Sequence, residues 1–188
     1  MNELSLHIID IIQNSLSAGA TRIAVTVDED AVNDLLTIRV EDNGKGMTAE
    51  QAARLSDPFY TTRTTRRVGM GIPLFRQSAE QSDGGLTVGS ESGKGTTVTA
   101  TFQYSHLDRP PLGDLAGSFI LMVAANPGTN FVLNYRYNDK SYRFDTVEVR
   151  EALEGVPLNE PAVIKLLTGM VSENLKDLRD PQGYSSAW

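Results

Sequence analysis

An α/β fold is predicted by three observations. Apolar residues recur three and four apart over residues 4–17, apolar and polar residues alternate strictly from Thr21 onward, and a second helical period near Pro73 is again followed by alternating runs. In the first segment Leu4, Ile8, Ile11, Ile12 and Leu16 form one stripe, and Gly19 stands just past its end. Ile23, Val25 and Val27 then face one way and Ala24, Thr26 and Asp28 the other, the signature of a half-buried strand. Leu36, Ile38 and Val40 repeat that pattern and run into a turn at Glu41-Asp42-Asn43-Gly44. Thr48 with Gln51 three residues on reads as the capping box of a short helix ending near Ser56. Residues 57–71 are a polar loop rich in Thr and Arg, without hydrophobic period. Pro73 suits the first turn of a helix reaching about Ser82. Strands near 86–91 and 96–104 follow, with Val98, Ala100 and Phe102 on one face.

His106 to Leu115, with Pro110, Pro111 and Gly113, reads as a linker, drawn at 106–117 between a first domain at 1–105 and a small α+β unit at 118–180. In that unit the runs 118–125, 130–138 and 141–148 are strand-like. A helix is expected near 160–178, with Ala162, Ile164, Leu166, Leu167, Met170, Val171 and Leu175 as a core stripe. Pro181 to Trp188 reads as a loose tail.

Composition removes several function classes. With no cysteine, disulfides, thiolate zinc sites and a cysteine nucleophile are excluded, and two histidines cannot build an all-histidine metal centre. No run of apolar residues is long enough to suggest a membrane span, and MNELSLHIID lacks the basic start of a secretory signal. The net charge of −7 is spread evenly: residues 1–104 carry 9 basic against 13 acidic side chains, and residues 105–188 carry 8 against 11. Neither half has the positive field of a nucleic-acid binder. A cytoplasmic protein is the expectation.

Three local features point to a phosphate or nucleotide. Asp10 and Asn14 lie four apart, hence on one helix face, where a carboxylate can orient a water and an amide oxygen can take Mg²⁺. An ordinary solvent-facing polar pair has the same spacing. Asp42 keeps the parity of Leu36, Ile38 and Val40, so its carboxylate leaves the strand on the core-facing side and needs a donor, for which the exocyclic amine of a purine is suited. Gly44 and Gly46 permit close approach of a flat ring, although an Asp-Asn-Gly turn joining two elements reads equally well. Arg67-Val68-Gly69-Met70-Gly71 leads into a helix N-terminus, a natural phosphate site, or else a plain loop closing on a helix cap. Two other glycine motifs fail. Leu74 stands where the dinucleotide fingerprint needs its third glycine, and Gly95 stands where a P-loop needs Ser or Thr.

Taken in order, the run His7 to Ile23 containing Asp10 and Asn14, then Glu41-Asp-Asn-Gly-Lys-Gly-Met47, Asp57-Pro-Phe-Tyr-Thr-Thr-Arg63, Gly69-Met-Gly71 and Gly93-Lys-Gly-Thr96 resembles the GHKL ATPase superfamily, which holds gyrase B, Hsp90, histidine kinases and MutL. The first motif is most similar to the MutL version, whereas Asp57–Arg63 and the Gly69 loop are more like the histidine-kinase version. The resemblance covers about residues 4–104 and implies a two-layer α/β sandwich, the Bergerat ATP-binding fold, with helices on one face of a mixed sheet. It further implies ATP and Mg²⁺ as ligands, with Asn14 on the metal, Asp42 accepting from the adenine amine with Thr96 helping through a water, and Gly44, Gly46 and Met47 against the base. Arg63, Gly69, Met70 and Gly71 would belong to a lid over the phosphates.

Two departures bear on mechanism. Asp10 stands where the hydrolytic members usually have Glu, one methylene longer, and a base roughly an ångström out of place can cost about a hundredfold in rate. Ser17, placed by the resemblance among the ATP-binding residues, replaces the Lys of histidine kinases and the Asp of MutL, a loss that Arg63, Arg66 or Arg67 would have to make good. His7 reads as structural, and a complete histidine kinase is not expected. The competing functions are an ATP-dependent switch or slow ATPase, a serine-protein kinase resembling the anti-sigma-factor kinases, and a non-hydrolysing ATP-binding module. A protein partner is expected, its identity and the choice between monomer and homodimer being left open.

Overall fold

A computed structural model describes residues 3–56 and 71–179. The elements are α1 (Leu4–Ser17), β1 (Arg22–Asp30), β2 (Leu35–Asp42), α2 (Ala49–Ser56), α3 (Gly71–Glu80), β3 (Gly85–Glu91), β4 (Gly95–Gln103), α4 (Leu115–Ala125), β5 (Asn130–Tyr137), β6 (Lys140–Asp145), α5 (Thr146–Ala152) and α6 (Pro161–Arg179). Six strands form one sheet in the order β3-β4-β2-β1-β5-β6, antiparallel throughout except where β5 runs parallel to β1.

The alternation in the sequence becomes the two faces of this sheet. Ile23, Val25 and Val27, Leu36, Ile38 and Val40, and Val98, Ala100 and Phe102 are all buried beneath the helices. Their registers match: Val25 lies opposite Val40, and Val40 opposite Val98. The other face carries Thr26, Thr37, Thr97 and Thr99, with Arg39–Glu41 at 3.3 Å and Arg136–Asp28 at 2.8 Å among its ion pairs. A sheet covered on one side only is a two-layer sandwich. The expected capping box is present, with Gln51 N donating to Thr48 Oγ1 at 3.3 Å and Thr48 N to Gln51 Oε1 at 3.0 Å.

The C-terminal residues differ from the expected secondary structure in two ways. First, the run 118–125 is helical, not strand-like: it belongs to α4, whose start is capped by Asp114 accepting from Gly117 N at 2.9 Å. A continuous apolar run cannot be assigned by periodicity, and α4 is apolar nearly all round because it packs against both α1 and α6. Second, the strand expected over 141–148 stops at Asp145, whose side chain accepts from Val147 N at 2.9 Å and starts α5. Residues 111 and 112, in the segment between β4 and α4, cap α1: the carbonyls of Pro111 and Leu112 accept from Leu4 N and Ser5 N at 2.9 Å each, satisfying donors that the first turn of α1 leaves unpaired. The α+β elements from α4 to α6 continue the same sheet through β5 and share its core, Phe119 meeting Phe131 and Phe144 edge-on at 5.9 Å. Val163, Leu167 and Val171 are the buried side of α6. No described helix is long and apolar enough to cross a membrane. The tail from Pro181 to Trp188 lies outside the described residues.

His7 occupies the α1–α3 interface. It is 2% exposed, its ring stacks on Phe75 at 4.9 Å and 13°, and neither ring nitrogen has a partner among the described residues. Burial holds its pKa below the ordinary 6.5, against the opposing pull of the Asp10 carboxylate. The folded chain therefore refuses a proton that the unfolded chain accepts, so stability is full above pH 6.5 and falls as the pH drops below it. His7→Leu is expected to flatten the loss of stability between pH 7 and pH 5.5, read from urea midpoints at both values.

Candidate functional site

Asp42 ends β2 opposite Ile23 of β1 and Thr96 of β4, still on the core-facing side. Its carboxylate is half-buried and met by three donors. Gly44 N at 2.9 Å and Thr96 N at 3.3 Å reach Oδ1, and Ser15 Oγ reaches Oδ2 at 2.6 Å from the buried face of α1. The strand end and the helix are thus joined through one carboxylate, whose desolvation is offset by these bonds.

The turn after Asp42 is tied on three sides. Lys45 N donates to Ala18 O at 2.9 Å, Gly93 N to Lys45 O at 2.7 Å, and Met47 N to Ser90 Oγ at 2.9 Å. Asn43 accepts from Thr21 N at 2.9 Å and Arg22 N at 2.8 Å, which locks the turn to the start of β1. Such closeness requires glycine at two points. Gly46 has φ +63° and a Cβ there would lie 2.0 Å from Glu91 O, while Gly95 has φ +115° and its Cβ would lie 1.9 Å from Asp42 O. Thr96 Oγ1 is 2.9 Å from Ser90 Oγ, so its hydroxyl belongs to the same network.

Asp10 and Asn14 share a face of α1 and are half-buried. The first residue of α3 lies against them: a Cβ on Gly71 would come within 2.9 Å of Asp10 Cβ. The start of α3 therefore lies beside Asp10. Ser17 does not join this cluster, for it is exposed and its hydroxyl donates to Gln13 O at 2.9 Å within its own helix. Arg63, Gly69 and Met70 lie outside the described residues. Among the described residues no group of three or more His, Asp or Glu is placed to hold a metal ion. An ion here would take Asn14 as one oxygen ligand and fill its shell with water and ligand oxygens, which suits Mg²⁺.

Two residues of this network were not expected from the sequence, Ser15 and Ser90. Ser15 had a visible signal, being a polar residue on the apolar stripe of Ile8, Ile11 and Ile12, and it is only 3% exposed. Ser90 had none, because its position beside Met47 depends on how two turns meet.

Comparison with known proteins agrees with this architecture. Residues 106 and below, from residue 2, match the family described as histidine kinase-, DNA gyrase B- and HSP90-like ATPase. The non-motile and phage-resistance protein of Caulobacter vibrioides is 34% identical over 97 residues, covering 49% of this chain and 12% of that protein. Sporulation kinase C of Bacillus subtilis is 33% identical over 95 residues, covering 50% of this chain and 22% of the kinase. The chain thus spans less than a quarter of either relative. In fold it is similar to the N-terminal domain of a DNA repair protein, with a TM-score of 0.54 at 17% identity over 76% of this chain and 52% of the other. With more than half its length matched by the family and that half folded around Asp42 as described, the chain belongs to the histidine kinase-, DNA gyrase B- and HSP90-like ATPases.

Proposed function

We propose that the chain binds Mg-ATP at the Asp42 site and works as an ATP-dependent switch or slow ATPase acting on a protein partner. The observation that carries this reading is the Asp42 carboxylate, fixed by three donors at the mouth of the helix–sheet seam and able to accept one more. In that role Asp42 takes the adenine amine, Gly44 and Gly46 leave room for the ring, and Thr96 supports the base edge. Asn14 offers its amide oxygen to Mg²⁺, and the start of α3 at Gly71 offers N–H groups to the phosphates. Bound Mg²⁺ supplies neutralisation of phosphate charge, and the chain's own residues orient and exclude water.

Asp10 is the group placed to orient a water, and its short side chain favours slow turnover. That same residue supports the reading of a non-hydrolysing module, since its carboxylate packs against Gly71 at the start of α3. Labelled Mg-ATP separates the two. Asp10→Ala is expected to keep ATP affinity within about threefold while phosphate release falls at least tenfold. A wild-type protein that binds ATP and releases no phosphate above background would leave the binding module as the reading.

A further inference from the structure

Ser15 has one hydroxyl proton and two oxygen neighbours, Ile11 O at 3.1 Å and Asp42 Oδ2 at 2.6 Å. The shorter contact, to a charged oxygen, takes the proton, while the Ile11 carbonyl already serves the helix ladder. Oδ1 of the same carboxylate is taken by Gly44 N and Thr96 N. The two oxygens are therefore held from different elements, one by α1 and the other by the turn and β4. That arrangement stops rotation about the Cβ–Cγ bond. Ser15 is 3% exposed, so water does not compete for its proton, and no other donor among the described residues reaches Oδ2.

We propose that Ser15 is a positioning residue for base recognition: its hydroxyl, reaching from α1, holds Asp42 Oδ2 as a fixed acceptor and makes the site favour a 6-amino purine over a 6-oxo purine. The proposal rests on the nucleotide reading above. A 6-oxo purine presents a carbonyl to this oxygen, two acceptors facing each other. Rejecting it depends on the carboxylate being unable to turn away. Once the Ser15 donor is gone, Oδ2 is restrained only through Oδ1, and the carboxylate can turn.

The test is calorimetric titration of the whole chain with ATP and with ITP, which carries an oxygen in place of the exocyclic amine. In Ser15→Ala, ATP is expected to bind about tenfold more weakly, as for loss of a hydrogen bond to a charged group, and ITP to change less than about twofold. The preference for ATP then narrows about tenfold at a nearly constant melting temperature. Equal weakening of both nucleotides, or no change in either, overturns the assignment while leaving ATP binding intact. A wild-type chain that binds neither nucleotide overturns the nucleotide reading, and this proposal with it. If Ser15→Ala melts below the assay temperature, Ser15→Cys keeps the shape with a weaker donor and is expected to narrow the preference at least threefold. An unchanged preference in that variant also overturns the assignment.

Discussion

Asp42→Asn is expected to weaken ATP binding by at least a hundredfold while the protein stays folded. The carboxylate offers only acceptors, and three are already used by Gly44 N, Thr96 N and Ser15 Oγ. An asparagine keeps one acceptor oxygen, which Gly44 N and Thr96 N claim together. Its amide nitrogen then falls where Oδ2 was, with one proton toward Ser15 Oγ and the other toward the place the base amine must occupy. The loss combines a charge-assisted hydrogen bond with a donor facing a donor, about 3 kcal/mol or more, and hence about a hundredfold or more in affinity. The fold tolerates the change because Ser15 can turn its proton to Ile11 O, 3.1 Å away, and accept from the new amide. Calorimetry with Mg-ATP beside a thermal melt checks both halves. Unchanged affinity in a folded Asp42→Asn protein would remove nucleotide binding from this site.

The sequence told most where a residue's environment follows from its own element. Leu4–Ser17 was legible to the residue, because five apolar positions and a terminal glycine define the helix locally. Asp42 was legible through strand parity, since alternation along β2 places its side chain without reference to anything distant. What could not be read was contact between elements far apart in the chain. Ser15 meets Asp42 across 27 positions, and β5 meets β1 across more than a hundred, as Ile23 opposite Phe131. Nothing in the alternation of Phe131 and Leu133 says that they extend the first sheet. The helix α4 was missed for a related reason, since its all-round apolar character reflects neighbours on both sides, α1 and α6. Its one local signal was Asp114, three residues before the N–H it caps.

Strand parity also buries an acidic side chain at the far end of β1. Glu29 continues the series Ile23, Val25, Val27 onto the core side and is 4% exposed. It lies six residues from Ile23, about 20 Å along the strand from the Asp42 end. The Tyr135 hydroxyl donates to it, and Arg179, the last residue of α6, adds Nε at 3.0 Å and a second guanidinium nitrogen at 2.5 Å. Burial, then the Glu29 charge, pushes the nearby Tyr104 phenol above its ordinary pKa. The consequences of removing the carboxylate differ for Arg179 and Tyr135. Arg179 is 44% exposed at its side chain and can turn to water, so its ion pair counts for little. Tyr135 is 1% exposed and cannot, leaving a buried hydroxyl unpaired beside a new cavity. Glu29→Ala is therefore expected to cost about 3 kcal/mol, lowering the melting temperature by about 6–12 °C. Glu29→Gln keeps an acceptor for Tyr135 and is expected to cost about 1 kcal/mol, near the worth of a screened pair. Equal losses in the two variants would place the stabilisation in the charge and not in the hydroxyl. Because this clamp and Asp42 sit at opposite ends of one sheet, Glu29→Gln should bind ATP as the parent chain does, separating what holds α6 to the sheet from what the site recognises.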